Sequence, residues 1–159
     1  MPGDRTPRPR RRVRPLILAA SLLVAACSQP TDDRELDPVA TSEGFLEGGR
    51  FANADLERGE LLGFSCRACH TFGAGEDHLL GPNLNGLFGR PAASAPGFEY
   101  SAALRAAGFV WTPDELDSWL AEPDGFLPGN NMPFAGFNSA ADRNDLLAYL
   151  LRVTAEGSP

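Results

Sequence analysis

Cys66-Arg67-Ala68-Cys69-His70 is the stretch on which the reading of the whole chain turns. Two thiols three positions apart, with histidine next, have the spacing of a c-type haem attachment site. The spacing has a physical reason. Both sulfurs must reach the two vinyl groups on one edge of a porphyrin, while the next side chain turns under the ring to ligate iron. Two other readings of a thiol pair are weaker. A redox dithiol belongs beside a βαβ pattern, which this chain lacks. A structural zinc site needs two further donors, and beyond the motif the Cys and His inventory holds only Cys27 and His78. One covalently attached haem c, with its iron, is therefore the expected cofactor.

Iron held by His70 needs a sixth ligand. The chain has two methionines, Met1 and Met132, and Met1 lies in a segment expected to be removed. Met132 sits in Pro128-Gly129-Asn130-Asn131-Met132-Pro133-Phe134, a loop stiffened by proline rather than a helix face, so core packing is the lesser reading. His70 and Met132 are the expected metal ligands. His78 is only eight residues past His70 on the same side of the motif, and a loop hydrogen bond is its expected role.

A chain of 159 residues accommodates one ordinary domain with an appendage. The net charge of −7 argues against nucleic acid as a partner. All 14 cations are arginine, so no lysine exists to form a Schiff base or to serve a phosphate loop. Charge is also unevenly placed. Six arginines fall within the first 14 residues, whereas from Cys27 onward 8 arginines face 20 carboxylates, a net of −12.

The basic head runs into Leu16-Ile17-Leu18-Ala19-Ala20-Ser21-Leu22-Leu23-Val24-Ala25-Ala26 and then Cys27. A positive start, a short apolar run and small residues before a break describe a secretory signal peptide. The run is shorter than the roughly 20 residues a bilayer span requires. Val24-Ala25-Ala26-Cys27 resembles the bacterial lipobox, which implies acylation of Cys27; a plain leader cleaved nearby is the alternative. Arg11-Arg12 hints at a twin-arginine signal, but the residues after it fit poorly. The expected organisation is a signal peptide over 1–26, a lipid-anchored, flexible acidic tether over 27–52 and a monohaem domain over 53–159. About 25 tether residues would reach roughly 25–30 Å. Phe45, Leu46 and Phe51 also permit an extension packed on the domain.

Over roughly residues 55–155 the chain resembles the class I cytochromes c, and closely their mitochondrial-type branch. The resemblance rests on the thiol motif, Gly81-Pro82-Asn83-Leu84-Asn85-Gly86-Leu87-Phe88-Gly89-Arg90, Ala95-Pro96-Gly97-Phe98-Glu99-Tyr100, Trp111, Pro128-Gly129 through Met132 with Phe134-Ala135-Gly136, and Asp145-Leu146-Leu147-Ala148-Tyr149-Leu150. It implies an all-α class I cytochrome c fold, with helices and long loops wrapped around the haem. It implies that the Pro82 carbonyl accepts the proton of the His70 nitrogen that does not bind iron. It further implies that Arg90, Tyr100 and Trp111 hold a haem propionate. There are departures: Trp119 stands where the family usually has tyrosine, Asn130 where threonine is common, Leu104 where asparagine is frequent and Asn131 where a lysine occurs.

Three helices follow from the residues themselves. Thr112-Pro113-Asp114-Glu115 opens one that runs to about Ala121. Ser139 caps another, with Leu146, Leu147, Leu150 and Leu151 on one side. Asn53 is the expected cap of a third, through Cys66, with Gly59 and Gly63 four apart on one face. The resemblance implies that these glycines meet the last helix around Tyr149.

The expected function is one-electron transfer between membrane-bound respiratory or photosynthetic complexes on the periplasmic side of a bacterial membrane. The protein is not expected to be an enzyme and takes no small-molecule substrate. Its expected partners are redox proteins, either with basic docking patches or with mainly apolar ones. The rival class, a gas or redox sensor or weak peroxidase with a dissociable methionine, is disfavoured by the short proline-flanked loop.

Overall fold

A computed structural model describes residues 42–47 and 49–155. The expected signal peptide, Cys27 and the expected tether up to residue 41 lie outside the described residues. Six helices follow in order: α1 Ser42–Glu47, α2 Leu56–Arg67, α3 Ala102–Ala106, α4 Pro113–Ala121, α5 Pro123–Phe126 and α6 Ala140–Val153. Among the described residues there is no strand, only an isolated antiparallel bridge between Pro91 and Val110. The all-α expectation holds.

α6 is the axis of the packing. It touches α2, α4 and α1, and Asp145 through Leu151 are buried without interruption. A helix buried on every side in its middle must be apolar all round there, and Leu146, Leu147, Leu150 and Leu151 supply that. Ser139 caps it as expected, its hydroxyl accepting from the Asp142 amide at 3.2 Å. α4 opens at Pro113 behind Thr112, whose hydroxyl accepts from the Glu115 amide at 3.3 Å.

Two expectations need correction. The cap of α2 is Asp55, not Asn53: its carboxylate accepts from the Arg58 amide at 3.0 Å. Asp55 is selected because its own amide is also satisfied, donating to the Asp145 carboxylate at 3.0 Å across the helix pair. The second correction concerns residues 42–52, assigned to the flexible tether. Those among them that the structure describes pack on the domain instead. α1 lies against α6, the Phe45 ring stands 6.3 Å from Phe88, and Phe51 is only 8% exposed. Burying two phenylalanines and Leu46 outweighs the acidic, glycine-containing composition that suggested a free chain.

The α2–α6 crossing depends on glycine. A Cβ at Gly59 would fall inside the Asp145 carbonyl oxygen and 2.8 Å from the Tyr149 Cβ. One at Gly63 would lie 2.7 Å from the Tyr149 ring. The helices therefore approach more closely than any side chain on this face permits. Gly59→Ala is expected to lower stability by about 2 kcal/mol, overpacking exceeding the roughly 1 kcal/mol gain in helix propensity. Thermal unfolding of the holoprotein checks this, and an unchanged or raised Tm would refute it.

Candidate functional site

The last turn of α2 carries Cys66, and the chain stays helical for one more step. The amides of Cys69 and His70 both donate to the Cys66 carbonyl, at 3.0 and 2.9 Å. The strand of loop that returns beneath them is tied by the Gly81 amide, which donates to the Cys69 carbonyl at 2.8 Å. Glycine is required at 81, because a Cβ would sit 2.7 Å from both ring nitrogens of His70. That close passage brings the Pro82 carbonyl 2.7 Å from His70 Nδ1. A carbonyl can only accept, so Nδ1 carries the proton and Nε2 keeps a free lone pair. Burial lowers the His70 pKa from its ordinary value, outweighing the opposing effect of the Pro82 bond. The imidazole is therefore neutral at pH 7, the form that binds a metal.

Above α2's end lies a cavity of about 290 Å³. Every expected cofactor residue of the domain lines it: Cys66, Cys69, His70, Pro82, Arg90, Tyr100, Trp111 and Met132. The walls between them are apolar, with Leu84, Leu87, Leu116 and Leu120 among them.

The Met132 loop is held from two directions. Its backbone turns on Asn130, whose side-chain oxygen accepts from the Met132 amide at 2.8 Å. The amide nitrogen of the same side chain donates to the Pro123 and Leu127 carbonyls at 3.1 and 3.0 Å, anchoring the loop to α5. Past the loop, Gly136 at φ +93° leads to Phe137, whose amide donates to the Leu120 carbonyl at 2.7 Å. Finally, the Trp119 indole donates to the Met132 sulfur at 3.2 Å. The tyrosine-to-tryptophan departure thus keeps a donor on the sulfur.

Arg90 is pinned by two carbonyls, its guanidinium donating to Asn85 at 2.9 Å and Asn83 at 3.2 Å. It forms no ion pair with a carboxylate among the described residues. Burial lowers its pKa, partly offset by Tyr100, yet a guanidinium stays charged. A half-buried cation facing a cavity without an anion is suited to an anionic group of a bound cofactor. Tyr100, whose pKa burial raises, remains a phenol able to donate there.

The residue set fits a covalently attached haem: two thiols outside any disulfide, a neutral imidazole with one free nitrogen, a thioether and a cation held by carbonyls without a carboxylate, around apolar walls. It fits the rival readings poorly. No group of three or more His, Cys, Asp or Glu donors able to hold a metal occurs among the described residues. Burial raises the Cys66 pKa, opposite to the lowering that activates a redox dithiol. His78 stands outside this lining and bridges two loops, Nε2 donating to the Pro96 carbonyl at 2.9 Å while Nδ1 accepts from the Asn83 amide at 2.9 Å. Asn83 and Asn130, which position the loops on either side of the cavity, carried no site role in the sequence reading. Their signal is an asparagine two residues ahead of the residue whose amide it caps, Asn85 and Met132 respectively.

No protein-family model matches the chain. Individual proteins do. It is 43% identical over 108 residues to cytochrome c of Stellaria longipes, an alignment covering 67% of this chain and 94% of that protein. Cytochrome c2 of Agrobacterium tumefaciens is 41% identical over 100 residues, 61% of this chain and 90% of its own length. Among solved structures, cytochrome cH from Methylobacterium extorquens superposes with a TM-score of 0.57 at 37% identity, covering 61% of this chain and 97% of its own. With a cavity of this composition and relatives of this closeness, the chain belongs to the class I cytochromes c, electron carriers with a covalently bound haem c.

Proposed function

We propose that this cytochrome is an exported, membrane-tethered one-electron carrier in which Cys66 and Cys69 form the thioether links and His70 and Met132 are the axial ligands. The supporting observation is that a single cavity is lined by two free thiols, a neutral imidazole already bonded at Nδ1, and the sulfur of Met132. When bound, the haem iron supplies a one-electron couple, and His/Met ligation raises its potential.

The chain's own residues hold and tune. Pro82 fixes the plane of the His70 ring and raises its basicity as a ligand. Arg90, Tyr100 and Trp111 would neutralise and bond a propionate. The proline-flanked loop, anchored through Asn130, keeps Met132 in place, which favours electron transfer over a sensor or peroxidase with an open iron. Trp119 withdraws electron density from the sulfur.

Residues 1–26 are the proposed signal peptide, and acylated Cys27 is the proposed anchor on the periplasmic face. The proposed tether loses its last segment, because α1 is docked on α6. Donor and acceptor are redox proteins brought close by the anchor, which raises their effective concentration.

An optical spectrum tests the ligation. The oxidised protein is expected to show a weak far-red sulfur-to-iron band, absent in Met132→Ala, and the reduced wild type should ignore carbon monoxide. Ready carbon monoxide binding by the wild type would sink His/Met ligation. Trp119→Phe is expected to lower the midpoint potential by about 40 mV, the equivalent of one hydrogen bond of roughly 1 kcal/mol; a potential that rises would refute the role of the indole. For the anchor, intact mass spectrometry of protein from membranes should find a chain starting at Cys27 with acyl increments. An unmodified N-terminus elsewhere would exclude it.

A further inference from the structure

α2 is inverted relative to an ordinary surface helix. The face it buries against α6 is glycine, Gly59 and Gly63, while Leu61 and Phe64 point outward at 65% and 60% exposure. Leu61 lies three residues before Phe64 and four before Ser65, so all three share one face of the helix. Ser65 lines the mouth of the haem cavity together with Leu80, which is 82% exposed, and Leu79 beside it is 51% exposed. Four of the five large apolar side chains that the described residues expose thus lie on α2's outer face or in the loop at the cavity mouth.

Carboxylates flank this stripe on one side and at the cavity mouth. Glu57 and Glu60 precede Leu61 and Phe64 by one turn and are exposed, as is Glu99 at the mouth. The two cations of α2 are also exposed but already engaged: Arg58 pairs with Asp142 and Asp145, and Arg67 donates to the Tyr149 hydroxyl and lies over the Phe72 ring. The result is an apolar centre with an acidic rim, next to the two cysteines.

We propose that the Leu61–Phe64 stripe, continued by Leu79 and Leu80, is the docking surface for a redox-protein partner whose own patch is apolar at its centre and basic at its rim. This rests on the carrier reading above. An electron crosses fastest where the redox groups come closest, and this face borders the cavity that holds the haem. Apolar contact supplies the affinity, and the rim acids set only the rate of encounter. A second copy is a poorer occupant, because both bodies carry a net of −12 from Cys27 onward. A membrane surface is poorer too, since its anionic headgroups repel the rim carboxylates.

The test uses the full-length holoprotein, reduced, with its oxidation followed optically in detergent-solubilised membranes of the cells that make it. Leu61→Gln/Phe64→Gln is expected to raise KM about tenfold, by the same factor at low and high ionic strength. Its spectrum, midpoint potential, Tm and rate of oxidation by ferricyanide should match the wild type, which separates docking from folding and ligation. Glu57→Gln/Glu60→Gln should slow the reaction at low ionic strength only. An unchanged KM in the apolar double variant overturns the proposal, as does a deficit seen in intact membrane vesicles but abolished by detergent, which would assign the stripe to lipid. A wild-type dimer in sedimentation equilibrium that the double variant dissolves would assign it to a second copy. If the membranes leave wild-type protein reduced while ferricyanide oxidises it, the carrier reading itself fails and the docking surface with it.

Discussion

Everything at the haem site hangs on how closely α2 can approach α6. α2 ends in Cys66, and the turn that follows places Cys69 and His70, so any shift of this helix moves two thiols and a ligand together. Glycine at 59 and 63 lets the backbone of α2 lie directly on Asp145 and Tyr149. The crossing is then locked by polar bonds at its start, the Asp55 amide to the Asp145 carboxylate and Arg58 to Asp142. α6 in turn is fixed by burial on all sides, so the reference against which α2 is positioned does not move.

From that fixed point the site is assembled by loops rather than by helices. Long loops are ordinarily the mobile part of a domain. Here asparagine side chains replace the missing ladders. Asn83 binds Thr71, Gly73 and His78 around the His70 side, and Asn130 binds α5 and the Met132 amide on the other. Each such bond satisfies a backbone group that irregular chain would otherwise leave unpaired. The four-ring cluster of Phe109, Trp111, Trp119 and Phe126, all edge-on at 4.7 to 6.0 Å, gives the two tryptophans of the cavity a stiff backing.

The charge distribution separates two tasks. Inside, the one cation on the cavity wall, Arg90, is held by carbonyls and left without a carboxylate, ready for an anion. Outside, arginines pair with neighbouring acids, Arg50 with Asp114 and Arg143 with Asp117, leaving a surface dominated by carboxylates. The Arg50–Asp114 pair, the more exposed of the two, adds little stability. The consequence of both is that the acidic surplus and the apolar stripe on α2 are what a partner meets.

Much of this was legible from the residues. The thiol motif with His70, the solitary thioether of the domain, the caps at Thr112 and Ser139 and the leucines of α6 are local signals, and local chemistry decides them: a hydroxyl three residues before an amide, or an apolar period of a helix. What no local signal contains is which of two competing contacts wins. Asn53 and Asp55 can both cap, and only the Asp145 carboxylate, ninety residues away, selects Asp55. Phe45 and Phe51 sit in a stretch with a tether's composition, and only the surface of α6 and Phe88 gives them somewhere to be buried. Leu61 and Phe64 face outward because glycine occupies the buried side of their helix, at its crossing with α6. Sequence alone determined the cofactor chemistry, because that needs residue types at fixed spacing. Tertiary structure decided the helix cap, the docked arm and the outward apolar face, because each depends on free energy gained between segments far apart in the chain.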